Sequence, residues 1–390
     1  SPGSTTRFAP NEGKATSGAF PYYHLQTPGG GVTIVIGWPA QWAATFARDD
    51  KGGLRVTAGQ ELTHLYLKPG EGIRTPLMAL LFWNGDDLDH PRNLWRSWMV
   101  NHNLPRTADG KLAPTQLCGN NQQQIGFTAV TEQNQKDFIR LFVERGLKLD
   151  YWWLDTGWYI NNGHWWLSGT WEIEKSRFPN GIRPVSDYAH SQGMKFILWF
   201  EPERVGDMNS WLGKNHPEWI IPWMWGGGLL DLGNPEAQQW LTNYIDKFIT
   251  EQGIDVYRQD FNMAPIDCWR VKDTPDRQGI AENFHTQGYL KFWDTLRQRH
   301  PMLRIDSCAS GGRRNDLEAM RRAVPLHRTD YNFEPTSQQC HHYGLSQWIP
   351  YHGTGFMVGK SVIEPPDCPM VPIPDEIVPY YFRSAMSPSL

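Results

Sequence analysis

The residues best equipped for chemistry are carboxylates at the ends of short apolar runs. Leu154-Asp155-Thr156-Gly157-Trp158 closes one run, and Leu198-Trp199-Phe200-Glu201-Pro202-Glu203 closes another. Tyr257-Arg258-Gln259-Asp260-Phe261-Asn262 closes a third. Asp306 and Cys308 lead into Ser310-Gly311-Gly312, and His327-Arg328-Thr329-Asp330 ends a fifth run. One Asp at a strand end has a plain structural use, capping the next helix or accepting from loop amides. Five acidic strand ends on one rim are harder to explain as caps. Like charges held together raise one another's pKa, so one pocket can contain both an ionised nucleophile and a protonated acid. Paired carboxylates of this kind point to glycoside hydrolysis, whose retaining form places them about 5–5.5 Å apart.

Tryptophan points the same way. The chain has 20 Trp in 390 residues, and eleven lie between Trp152 and Trp225, where an even spread would put about four. Cores also use Trp. A cluster in what reads as loop sequence favours an aromatic platform for sugar rings, whose C–H faces are apolar.

Charge and composition exclude other classes. Lys plus Arg is 37 and Asp plus Glu is 41, a net charge of −4 without the basic excess of a nucleic-acid binder. No run of about 18 apolar residues exists to span a membrane as a helix. The segment Ser1 to Pro10 is polar and lacks the apolar core of a signal peptide. The chain does not start with Met, which suggests a trimmed or processed product, and the compartment stays open. Five widely spaced cysteines (Cys118, Cys268, Cys308, Cys340 and Cys368) without CxxC, and thirteen His without HExxH, predict neither a disulfide framework nor a metal site. Two carboxylates and water require no cofactor.

The elements that must position these groups change rhythm near residue 105. Runs at 31–37, 54–57, 61–67 and 76–82 read as strands and 91–103 as a linking helix. From 115 onward the pattern alternates. Strands are predicted at 115–119, 150–155, 195–201, 229–232, 254–260, 303–308, 325–330 and 380–386. Helical periodicity covers Glu132 to Arg145, Pro184 to Gln192, Pro235 to Glu251 and Phe284 to Arg299. This predicts an α/β chain in which a (β/α)8 TIM barrel over 106–390, truncated at its eighth strand, follows residues 1–105, the C-terminal part of a β-sandwich domain plus a linker helix. A doubly wound sheet is the alternative, but no GxGxxG follows the first strand, and Gly226-Gly-Gly228 is only a turn.

Six segments, in order, carry a resemblance. Trp153-Leu-Asp-Thr-Gly-Trp-Tyr159 resembles the "LDDGWF" segment of melibiase-type α-galactosidases, glycoside hydrolase family 36. Leu198-Trp-Phe-Glu-Pro-Glu-Arg-Val205 resembles "LWxEPEMV", and Val256-Tyr-Arg-Gln-Asp-Phe-Asn262 resembles "YIKWDMN". Ser307-Cys-Ala-Ser-Gly-Gly-Arg-Arg-Asn-Asp316 resembles "xCSSGGGRFD", and Asp330 falls at the Asp of "WxSD". Tyr381-Phe-Arg-Ser-Ala-Met-Ser-Pro-Ser-Leu390 resembles the family's eighth strand.

The resemblance implies roles. Asp260 would be the nucleophile and Asp330 the acid/base. Trp199 would stack on the sugar and Asp155 would bind ring hydroxyls. Cys308, Gly311 and Gly312 would lie near the C2 substituent. Trp158 and Asn262 complete the implied substrate site, Arg314 and Asp316 would pair beneath the loop, and Glu201 and Glu203 would hold loops.

Four positions depart from the pattern. Thr156 replaces a second Asp, Arg258 a Lys, Gln122 a Trp and Trp225 an Arg. Such changes alter hydroxyl recognition. The implied activity is a retaining exo-α-glycosidase for terminal α-galactose-type sugars. The alternatives are an α-galactosaminidase or α-N-acetylgalactosaminidase, a raffinose-synthase-like transferase, or a non-catalytic sugar-binding relative. The implied partner is an oligosaccharide or glycoconjugate, and the family is often oligomeric.

Overall fold

A computed structural model describes residues 3–331, 335–355, 361–363, 370–372 and 374–386. Five parallel strands form its central sheet: Cys118–Gly119, Tyr151–Leu154, Lys195–Phe200, Val256–Gln259 and Arg304–Ser307. Each pairs with the next in chain order. A doubly wound sheet needs a reversal of strand order, and there is none among the described residues. The strands are buried on both faces, as helix-covered parallel strands must be; Tyr151–Leu154 and Lys195–Phe200 are mainly apolar, whereas Val256–Gln259 buries Arg258 and Gln259.

The helices between them are set by local signals. Thr131 and Asn134 form a capping box at the start of Glu132–Glu144. Asn234 caps Pro235–Gln252, and Gly253 ends it in the left-handed region at φ +67°. Arg183–Ser191 and Ile280–Arg299 complete the helices expected from periodicity.

Beyond residue 115, three strand expectations fail. The 229–232 run does not join the central sheet. Gly228–Leu230 instead pairs antiparallel with Arg204–Val205 and Ile220–Pro222, so Val256–Gln259 lies directly beside Lys195–Phe200. The 325–330 run continues the sheet edge only through a bridge of Val324 to Asp306. There the Asp306 side chain, not backbone, accepts from Leu326 N, which ends the ladder. Residues 380–386 fall largely in a helix, Val378–Ser384, with Pro379 in its first turn. Residues 387–390 and Cys368 lie outside the described residues.

The N-terminal segment forms two antiparallel three-stranded sheets. One joins Thr5–Phe8, Trp42–Arg48 and Leu54–Gln60; the other joins Tyr22–Thr27, Gly30–Gly37 and Leu77–Asn84. The 61–67 run makes only the His64–Gln278 bridge. The linking helix is Asp89–Trp98, widening into a π-helical turn at Met99–Asn103. Tyr22, Val35, Trp95 and Met99 share one apolar cluster with Trp152, Leu198 and Tyr257.

Candidate active site

Asp260 follows the Val256–Gln259 strand, with its backbone N donating to Phe200 O at 2.8 Å. Its carboxylate is nearly buried and accepts four hydrogen bonds. Oδ1 accepts from Phe261 N (2.7 Å) and Ser310 N (3.0 Å). Oδ2 accepts from Asn262 Nδ2 (2.8 Å) and Trp199 Nε1 (3.1 Å). Burial alone would raise its pKa. The Arg258 charge and the donors on Asn262, Ser310 and Phe261 outweigh burial and hold the group below its ordinary value.

Arg258 is fixed from several sides. It donates to Asp306, its guanidinium lies 4.3 Å over the Trp153 ring, and its Nε is 3.7 Å from Asp155 Oδ2. That Nε is buried and has no hydrogen-bond partner among the described residues. Burial pushes Asp155 up to about 6; the Arg258 charge and the Thr156 N–H oppose this, and the charge of Asp260 adds to it. The Asp306 oxygens are taken by Arg258 and Leu326 N, so Asp306 positions Arg258 rather than facing a ligand. Gln122 Nε2 donates to Thr156 Oγ1 at 2.6 Å, and Thr156 donates to Phe127 O at 3.0 Å.

One turn touches both candidate catalytic residues. Cys308 N donates to Gln259 O at 2.8 Å, and Ser310 N reaches Asp260. Gly311, at φ +79°, lies so close that a Cβ there would sit 2.7 Å from Asp330 N. A Cβ on Gly312 would sit 2.2 Å from Arg328 O. Only glycine permits this approach. Burial raises the Cys308 thiol, and the charges of Asp260 and Asp330 raise it further, against the opposing charge of Arg258. The Asp330 side chain is 62% exposed, with His327 Nε2 at 3.4 Å.

Other expectations move. Trp158 is wholly buried among Tyr159, Trp171, Phe200 and Phe248, with its N–H on Trp199 O; it is core, not a sugar contact. Trp199 is only 1% exposed, enclosed by Tyr159, Trp165 and Trp171. It serves Asp260 as a donor rather than offering an open stacking face. Trp225 stands 76% exposed in the turn between Pro222 and Gly228. Much of the tryptophan cluster is therefore core: Trp152, Trp158, Trp171, Trp199 and Trp219 are all buried.

Glu203 pairs with Arg314 and His285 and accepts from Gln259; despite burial these hold it down at about 2. Arg314 thus pairs with Glu203 rather than Asp316, which caps the Leu317–Met320 helix. Glu201 binds Arg204 and Asn262 N, and burial lifts it to about 7. Ser310 was missed as a site residue. The signal was its place in Ala309-Ser310-Gly311-Gly312, where a non-glycine in the left-handed region (φ +49°) aims an N–H at Asp260.

A family model described as Melibiase matches residues 120–363. The chain belongs to the melibiase family. Among curated melibiase relatives, it is 27% identical to alpha-galactosidase Mel36A of Lactobacillus acidophilus over 285 residues, 69% of this chain and 37% of that protein. An alpha-galactosidase of Escherichia coli is 28% identical over 267 residues, 65% and 35%. The chain spans less than half the length of these relatives. Two solved structures share the fold. An alpha-galactosidase from Lactobacillus brevis has a TM-score of 0.78 at 23% identity, covering 91% of this chain and 49% of that one. The alpha-galactosidase AgaA of Geobacillus stearothermophilus, in complex with stachyose, has a TM-score of 0.82 at 19% identity, covering 100% and 55%.

Proposed function

We propose that this chain carries the active site of a retaining exo-α-glycosidase for terminal α-linked galactose. One observation carries the reading: a buried carboxylate kept ionised by four donors, Asp260, takes one of them from Ser310 in the 308–312 turn, and Gly311 of that turn lies against the backbone of Asp330, whose carboxylate is exposed. Asp260 Oδ bonds to the anomeric carbon as the C–O bond breaks, and the leaving oxygen takes the Asp330 proton. Asp330 then removes a proton from water, whose oxygen displaces Asp260. The unpartnered Arg258 Nε–H beside Asp155 supports a shared grip on a ring hydroxyl.

The relatives' shared name, alpha-galactosidase, favours galactosides over amino sugars and over transfer. The central sheet reads as five strands of a (β/α)8 barrel over 106–390, with 1–105 as the end of a β-sandwich and its linker. The unbroken chain order of the strands supports this.

The test is hydrolysis of aryl α-galactoside, α-N-acetylgalactosaminide and α-galactosaminide side by side, with the first-formed anomer read by NMR. The expected result is turnover of the galactoside with α-galactose released first. Release of β-galactose would overturn the mechanism, and turnover of only an amino sugar would overturn the substrate.

A further inference from the structure

Ser310 stands at φ +49°, in the left-handed region that residues with a side chain rarely adopt. Glycine would take this backbone without strain, as Gly311 does beside it at φ +79°. A strained residue of this kind persists only where its surroundings fix it, and such residues gather at functional sites. The shape of the turn does not account for the side chain. Cys308 N on Gln259 O and Ala309 N on Gly311 O, both at 2.8 Å, already fix the turn, as does Thr16 donating to Gly312 O at 2.6 Å.

The hydroxyl has another use. Ser310 Oγ donates to Asn262 Oδ1 at 2.8 Å, while Ser310 N donates to Asp260 Oδ1 at 3.0 Å. The far side of the same Asn262 amide donates to Asp260 Oδ2 at 2.8 Å. Glu201 also draws on the Asn262 side chain and accepts from its backbone N. The amide nitrogen therefore faces two carboxylates, and the hydroxyl anchors the amide oxygen behind it. Ser310 reaches one oxygen of Asp260 directly and the other through Asn262. Both bonds start from one residue, so a change in its φ would move both. A nucleophile must be held with its attacking atom about 3–3.5 Å from the reacting carbon, and a carboxylate gripped at both oxygens cannot swing away.

We propose that Ser310 is a positioning residue for the nucleophile: its left-handed backbone is strain retained so that one residue aims an N–H at Asp260 and a hydroxyl at the amide that holds the other Asp260 oxygen. The assignment rests on the function proposed above and deepens it. It sets stability against activity at a single position, which a residue that only shapes the turn would not do.

Ser310→Gly tests this, because it keeps the N–H, accepts the left-handed backbone without strain and removes the hydroxyl. In the full-length protein its Tm should stay level or rise. Its kcat/KM for α-galactosyl fluoride should fall about ten- to a hundredfold. A galactosyl disaccharide should fall by the same factor, because both substrates need the nucleophile. Ser310→Ala removes the hydroxyl alone and should lose about tenfold on both. Adding it to Asn262→Ala should bring no further loss, since the hydroxyl acts through that amide. Losses confined to the disaccharide would put Ser310 on the side of the acid and overturn the assignment. So would a Tm of Ser310→Gly that falls in step with activity, unchanged kcat/KM in both single variants, or losses that multiply in the double variant. An unaltered protein that fails to cleave the fluoride would overturn the glycosidase reading and this assignment with it.

Discussion

Gln122 Nε2 donates to Thr156 Oγ1 at 2.6 Å, and the motif resemblance reads both as departures from the family pattern. The departures form one unit. An amide and a hydroxyl stand where the pattern has an indole and a carboxylate, and the hydroxyl proton is already committed to Phe127 O. Asp155 is left without a neighbouring carboxylate on its own strand end.

The pair should therefore behave as coupled. A double-mutant cycle of Gln122→Ala and Thr156→Ala, read in kcat/KM for an aryl galactoside, should show an interaction energy of about 0.5–3 kcal/mol. Strict additivity would mean the contact has no bearing on substrate recognition.

The two candidate catalytic carboxylates should separate by leaving group. Asp260→Ala should lower turnover of every substrate by at least about a thousandfold, because no covalent intermediate can form. Asp330→Ala should cost about 10²–10⁴-fold on natural glycosides but far less on aryl glycosides with acidic leaving groups, which need no proton. Equal losses of Asp330→Ala on both would argue against the acid role.

Much of this was legible from residue types. Residue types marked five acidic ends of apolar runs, and the family resemblance singled out Asp260 and Asp330 among them; the structure puts Ser310 N on Asp260 and Gly311 beside the Asp330 backbone. The long helices were legible because caps and periodicity are local, as at Thr131 and Asn234. What depended on distant partners was not. Nothing in Gly228–Leu230 says that it pairs with Arg204–Val205 and leaves the central sheet. The Trp158 and Trp199 rings looked like sugar platforms, since sequence does not show which neighbours enclose an indole. Arg314 was paired with nearby Asp316, whereas its ion-pair partner, Glu203, is 111 positions away.

Buried Glu282 should make stability fall with rising pH. It accepts from Trp38 Nε1 (2.8 Å) and Gln41 N (3.0 Å), and burial pushes it up to about 8. A carboxyl whose folded pKa is raised is protonated in the folded state while the unfolded chain has already lost the proton. Its contribution is complete below the unfolded value near 4.5 and is lost as pH rises toward 8. Glu282→Gln keeps the shape without the charge. It should flatten the fall in Tm between pH 5 and 8, with a gain of about 2–4 °C at the upper end if about 1 kcal/mol is recovered. An unchanged slope would show that Glu282 titrates normally.

Glu203 has the opposite sign and a larger consequence. Arg314 and His285 hold it at about 2, so its stabilising contribution is present above the unfolded value near 4.5 and disappears as pH falls toward 2. Removing one partner of a buried ion pair strands the other charge, at about 3–5 kcal/mol. Glu203→Ala leaves Arg314 buried between Phe261 and Tyr289 with no carboxylate partner. It should lower the urea midpoint by that amount of stability at pH 7. The gap between variant and parent should narrow as pH falls from 4.5 toward 2, because the parent then loses the same pair by protonation. A gap that stays constant over that range would mean that Glu203 contributes through packing and not through its charge.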